Sequence, residues 1–89
     1  MDDWKDLRGR LLGILIRLED RLAPSQVVFI HELIDVGEWG VALEAIADVL
    51  AEDEVEIHDD EREDLLMLNG RLGMGERVPH ALSFCPPRS

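Results

Sequence analysis

The sequence predicts an all-α fold: a small single-domain bundle of about four helices, with a short irregular C-terminal tail. Three observations carry this expectation. Four stretches place apolar residues three and four apart, the spacing that gathers them on one helical face. Proline, glycine or aspartate stands between successive stretches, where the chain has to turn or a helix has to start. At 89 residues the chain suits one domain with a shallow core, so every helix must contribute an apolar face. The expected division is a helical domain over 1–75 and a proline-containing tail over 76–89 that is partly ordered at best.

The first helix is expected from Asp3 to Leu22. Trp4, Leu7, Leu11, Ile14, Leu15, Leu18 and Leu22 form its apolar stripe, with Trp4 facing the core. Its polar face holds Lys5, Arg8, Arg10, Arg17 and Arg21, more than half of the 9 basic residues. Asp2 and Asp3 suit the positive end of its dipole, and Arg21 the negative end. Gly9 and Gly13 each cost a helix about 1 kcal/mol relative to alanine, and their four-residue spacing predicts a close helix crossing at that face. Pro24 cannot continue this helix, and Ser25 is the expected cap of the next, Gln26 to Val36. There Val27, Ile30 and Ile34 line one face, and Phe29, Leu33 and Val36 broaden it. With only His31, Glu32 and Asp35 clearly polar, this should be the most buried helix. Gly37 suits the left-handed position just past its end.

The third helix begins at Glu38-Trp39-Gly40 and runs to about Glu52. Trp39, Leu43, Ile46 and Leu50 share one face, and Trp39 is expected to pack into the domain. Glu44 and Asp48 lie four apart on the opposite face with no basic residue nearby in sequence, a spacing at which like charges cost a few tenths of a kcal/mol. Residues 53–58, DEVEIH, alternate polar and apolar. They read as an extended connection with Val55 and Ile57 turned inward and no partner strand elsewhere. Asp59 or Asp60 then caps a fourth helix to about Leu72, with Asp60 and Glu63 spaced as a capping box. Leu65, Leu68 and Leu72 face inward. Gly73 and Gly75 close the folded part, with at most a short packed turn at Val78, Leu82 and Phe84.

Charge is the functional signal. The formal net charge is −11, which repels nucleic acid and anionic membranes and suits a basic partner. It is also localised. From Glu32 to Asp64 there are fourteen acids and one base, Arg62, whereas the chain through Leu22 carries five of each. Self-repulsion on that scale destabilises a small domain, so a binding surface is the preferred reading over a solvated face. Enzyme chemistry is not indicated. His31, His58 and His80 fall in different segments, and no nucleophile motif or phosphate loop is present. In the acid-rich loop from Asp53, Val55 and Ile57 stand where a calcium loop needs oxygen ligands. No catalytic residue, metal or cofactor is therefore expected. The lone Cys85 forms no internal disulfide and fits a reducing compartment. With no signal-like start and no run of roughly 18 apolar residues, the expected location is the cytoplasm.

Gly37-Glu38-Trp39-Gly40-Val41-Ala42-Leu43-Glu44 resembles the G-E-aromatic-small-x-A-L-E core of the MafI family of immunity proteins, the small helical antidotes of bacterial polymorphic toxin systems. The likeness extends over roughly residues 26–74: an apolar helix before the glycine, an alanine–leucine helix ending in acids, and a last helix starting with acids. The first helix matches in type only, and the tail is outside the likeness. It implies a stoichiometric inhibitor that binds the catalytic domain of a cognate toxin in the cytoplasm. Many such toxins are nucleases with basic clefts, to which an acidic partner is steered. The expected contact residues are Glu38, Glu44, Asp48, Glu52, Asp53, Glu54, Glu56, Asp59, Asp60 and Glu61. The alternative is an acidic helical adaptor or anti-factor that binds a basic nucleic-acid-binding protein. A self-associating protein using Gly9 and Gly13 as its crossing point is a third reading.

Overall fold

The chain alternates helix and tight turn. The computed structural model describes residues 3–88, with Asp3 by its backbone alone. The Asp2 and Asp3 carboxylates expected at the start of the first helix lie outside the described residues. Helix α1 spans Asp3–Leu18 and continues as a single 3-10 turn over Glu19–Arg21. Helices α2 (Pro24–Asp35), α3 (Trp39–Glu52), α4 (Asp59–Leu72) and α5 (Arg77–Leu82) follow. The fold is thus a small all-α domain with no strand among the described residues, four of whose helices are those the apolar spacing predicts. None of its helices is long and apolar enough to cross a membrane.

Local chemistry sets the boundaries. Pro24, expected as a breaker with Ser25 as the cap, is instead the first residue of α2. Its fixed φ and missing N–H suit that position. Ala23 is the extended N-cap, and its N–H is taken by the Gln26 side chain at 2.9 Å. Gly37, at φ 82°, lets the Glu38 N–H reach the Leu33 carbonyl at 2.9 Å and close α2. Helix α3 ends in the same motif, with the Val55 N–H on the Leu50 carbonyl at 2.9 Å. There the left-handed residue is Glu54, at φ 47°, where glycine would be the unstrained choice. At the start of α4 the capping glutamate is Glu61, not Glu63. It accepts the N–H of the N-cap residue His58 at 2.8 Å, so the helix starts two residues earlier than the Asp60–Glu63 spacing suggests.

The core is organised by α3, which packs against all four other helices. Its Ala42, Leu43, Ile46, Ala47 and Leu50 are buried. The expectation that the second helix is the most buried is not met. Only Ile30 and Ile34 of α2 are fully buried, and Phe29 and the flanking Val36 are exposed, Val36 by 72%. Its apolar residues circle the helix instead of gathering on one side. Leu11, Ile14, Leu15 and Leu18 of α1 and Leu65 and Leu68 of α4 complete the centre. Trp4 is 49% exposed and lies parallel to the half-buried Trp39, with ring centroids 6.4 Å apart. The Trp39 indole N–H donates to the Ile34 carbonyl at 3.3 Å, so this ring fastens the turn between α2 and α3. No helix crosses at Gly9 or Gly13: a Cβ at either would meet nothing within 4 Å.

The tail differs most from expectation. Residues 77–88 are part of the domain. Val78, Ala81 and Leu82 of α5, together with Cys85, are buried in the core. Arg62 donates from Nη1 to the Leu82 carbonyl at 2.7 Å and from Nη2 to the Cys85 carbonyl at 2.6 Å. Ile57 donates to the Pro86 carbonyl at 3.0 Å and accepts from the Arg88 N–H at 2.9 Å, which makes a parallel bridge between Ile57 and Pro87. The extended loop therefore does have a partner: the prolines that mask any helical period place this segment in the extended shape the bridge needs.

Candidate partner-binding surface

The ten carboxylates expected to form one surface separate into three groups. Glu44 and Asp48 of α3 face Arg77, at the start of α5: Asp48 Oδ2 accepts from Arg77 Nη2 at 2.6 Å, and Glu44 lies 3.7 Å from Arg77 Nη1. The hydrogen bond to Asp48 raises the Arg77 pKa further above its usual value. These two acids thus have an internal partner, and it comes from the segment the sequence left outside the domain.

Asp60 and Glu61 are engaged from α1. Asp60 accepts from Arg17 at 2.9 and 3.4 Å, and this contact holds its carboxyl below the usual aspartate range. Glu61 is not on the surface at all. It is fully buried, and Arg21 donates to both its oxygens at 2.8 and 2.7 Å. Burial alone would raise the Glu61 pKa, but the bonds from Arg21 and from the His58 N–H outweigh it and hold the group ionised below the ordinary glutamate value. A buried carboxylate already saturated with donors is a structural element, not a docking residue. Its place at the third position of α4 is the sequence signal for that role.

Glu38, Glu52, Asp53, Glu54, Glu56 and Asp59 are exposed and make no ion pair among the described residues. Glu38 stands apart from the rest. It precedes α3, whereas Glu52 ends it, and fourteen helical residues rising about 1.5 Å each separate the two by roughly 20 Å. Glu52 to Asp59 are contiguous. Glu63, which the sequence reading did not include, joins them: it is exposed and lies one turn beyond Asp59 on the outer face of α4. The candidate surface is therefore Glu52, Asp53, Glu54, Glu56, Asp59 and Glu63. Arg62, the one base inside this run, is turned away to the tail carbonyls and neutralises none of it by direct contact.

Beside this surface an open cleft of about 250 Å³ separates α1 from α4. Buried Ile14 and Leu68, half-buried Met67 and exposed Gly13 line its apolar part, and Arg10, Arg17 and Asp64 supply its charges. Among the described residues no three His, Cys, Asp or Glu side chains are grouped to hold a metal ion. Comparison with known protein families, with curated proteins and with solved structures returns no match.

Proposed function

We propose that this chain is an immunity protein: it binds the catalytic domain of a cognate toxin, basic and nuclease-like, and neutralises it by stoichiometric occlusion. One observation carries the reading. Glu52, Asp53 and Glu54 stand at the C-terminal end of α3, where the helix dipole is already negative. Each is exposed, and Glu54 also holds a left-handed backbone. Among the described residues no cation pairs with them there. Asp59, by contrast, suits the positive end of α4. A basic cleft supplies the missing cations and would be approached at a steered rate. The resemblance of residues 37–44 to the MafI core supports the same reading and implies a cytoplasmic site of action.

Co-expression with the product of the neighbouring upstream gene tests this. The expected result is growth arrest by that product alone and rescue by this chain. A product that is harmless, or that stays lethal with this chain present, refutes it. Charge reversal at Asp53 and Glu54 should then slow association and flatten its salt dependence. An adaptor for a basic nucleic-acid-binding protein would use the same acids, and recovery of such a protein by pull-down, with no toxin, selects that reading instead.

A further inference from the structure

We infer that the outer face of α2 is an anchor site for the same partner. It receives a basic amphipathic helix, with apolar side chains on Val28, Phe29 and Val36 and a lysine or arginine at Glu32. The inference deepens the proposed function and rests on it for the basic character of the partner. Val28, Phe29, Glu32 and Val36 follow the three- and four-residue spacing that gathers side chains on one helical face. That face lies opposite the buried Ile30 and Ile34. Val28 is 57% exposed, Phe29 55% and Val36 72%. Single exposed apolar residues are ordinary, but three in one stripe form a patch of the kind that marks an interaction site. From Val28 to Val36 the stripe is about 12 Å long, the span over which a docked helix presents anchors two turns apart.

Charge decides the occupant. Between Leu22 and Val36 the chain carries no lysine or arginine, and its acids are Glu32 and Asp35. Asp35 is held by Arg8 at 3.0 Å, with His31 at 3.1 Å from its other oxygen. Glu32 is exposed in the middle of the stripe and makes no ion pair among the described residues. The patch is also joined to the acidic surface. Arg21, three residues before α2, donates to the Glu56 carbonyl at 3.0 Å, so the start of α2 stands beside the acidic loop. Val28 is about 6 Å further along the helix from Pro24. A partner helix on the stripe therefore meets apolar side chains and then acids in succession. A second copy of the chain fits less well. An isologous pairing centred on this stripe sets Glu32 against Glu32, between molecules that each carry a net charge of −11.

The test needs no toxin. The isotopically labelled full chain is titrated at constant ionic strength with three helix-forming peptides of equal length. One has leucine on one face and lysine elsewhere, the second has serine in place of each leucine, and the third has glutamate in place of each lysine. NMR follows the amide signals. The lysine–leucine peptide is expected to give saturable shifts centred on Val28, Phe29, Glu32 and Val36, and to bind at least about tenfold tighter than the lysine–serine peptide. Phe29→Ala and Val36→Ala together should remove that advantage while the remaining signals stay native, because both side chains are exposed. Glu32→Gln should narrow the gap between the lysine–leucine and glutamate–leucine peptides. Equal binding of the leucine and serine peptides would reduce the contact to charge alone and overturn the inference. Shifts centred on another face, no saturable shifts, or a glutamate–leucine peptide that binds as tightly as the lysine–leucine one would overturn it equally. Self-association of the free chain in sedimentation that Phe29→Ala abolishes would assign the face to a second copy, against the inference. Rescue by co-expression does not depend on these peptides, so either result can fail while the other stands.

Discussion

Replacing Glu54 by glycine should make the protein more stable, which is unusual for a residue proposed to matter for binding. Glu54 occupies the left-handed position that ends α3, at φ 47°. An L-residue there carries a conformational cost of roughly 1–2 kcal/mol. Glycine escapes that cost but gives the unfolded chain more freedom, which returns about 0.4–1 kcal/mol. The expected net gain is about 0.5–1 kcal/mol, or roughly 2–8 °C in Tm for a domain of this size. The substitution also removes a charge, so Glu54→Gln is the matched control: it loses the same charge and keeps the strained backbone. Urea titration of the two variants isolates the backbone contribution. If Glu54→Gly is no more stable than Glu54→Gln, the left-handed backbone at this position costs no more than the roughly 0.4–1 kcal/mol that glycine returns through the unfolded chain, and the expected net gain is refuted. The two variants should nevertheless lose the same amount of association rate with a basic partner, because they lose the same charge. A difference in association would show that Glu54 acts through loop shape and not through charge.

Other outcomes follow from single contacts. Glu61→Ala leaves the mostly buried Arg21 without its bidentate carboxylate and should cost about 3–5 kcal/mol, measured by chemical denaturation; a loss below 1 kcal/mol would contradict a desolvated pair. Because the folded Glu61 pKa is depressed, the pair's contribution is fully present above the ordinary value of 4.5 and is lost as pH falls through the lower folded value. The stability gap between wild type and Glu61→Gln should therefore close in acid. Gly9→Ala and Gly13→Ala should each stabilise by about 1 kcal/mol in calorimetry, since neither Cβ meets a neighbour. Cys85 is buried and its thiol pKa is raised by burial, with Arg62 opposing, so it should react slowly with a disulfide reagent. Arg62→Ala removes the two bonds from its guanidinium to the Leu82 and Cys85 carbonyls and should speed that reaction at least severalfold.

Much of the fold was legible because it rests on local chemistry. The apolar spacing of Leu11, Ile14, Leu15 and Leu18, or of Leu43, Ile46 and Leu50, reports a buried face directly. Gly37 reports its own turn. The tail was not legible because its order comes from distant partners. No rule of spacing connects Arg62 to the carbonyls of Leu82 and Cys85, or Ile57 to Pro86. The same distance limit applies to the site. Glu44 and Asp48 look isolated in sequence because Arg77 lies 29 residues beyond Asp48, and Glu61 looks like one more surface acid although Arg21, 40 residues away, buries it. Nor did spacing reveal that Glu54 would be left-handed, since glutamate is not among the residues that favour that conformation.

These long-range contacts bear on the acidic loop itself. Residues 53–58 contain few apolar anchors of their own, yet four separate parts of the chain hold them. The Val55 N–H bonds α3 at Leu50, and the Glu56 carbonyl accepts from Arg21 at 3.0 Å. Ile57 is fully buried and bonded on both sides to the tail, and His58 is bonded to Glu61 of α4 by its N–H and to the Arg88 carbonyl through Nδ1 at 3.1 Å. Like charges in a free loop would swing apart. Here the backbone is fixed while the carboxylates of Glu52, Asp53, Glu54, Glu56 and Asp59 remain exposed. On the proposed reading, that is a preorganised surface: the partner does not have to order the loop, and little of the interaction free energy is consumed in doing so. The tail then has a role beyond completing the core. By fixing Ile57 it fixes the acids on either side of it, so loosening the tail should weaken binding even though no tail residue carries the charge that attracts the partner.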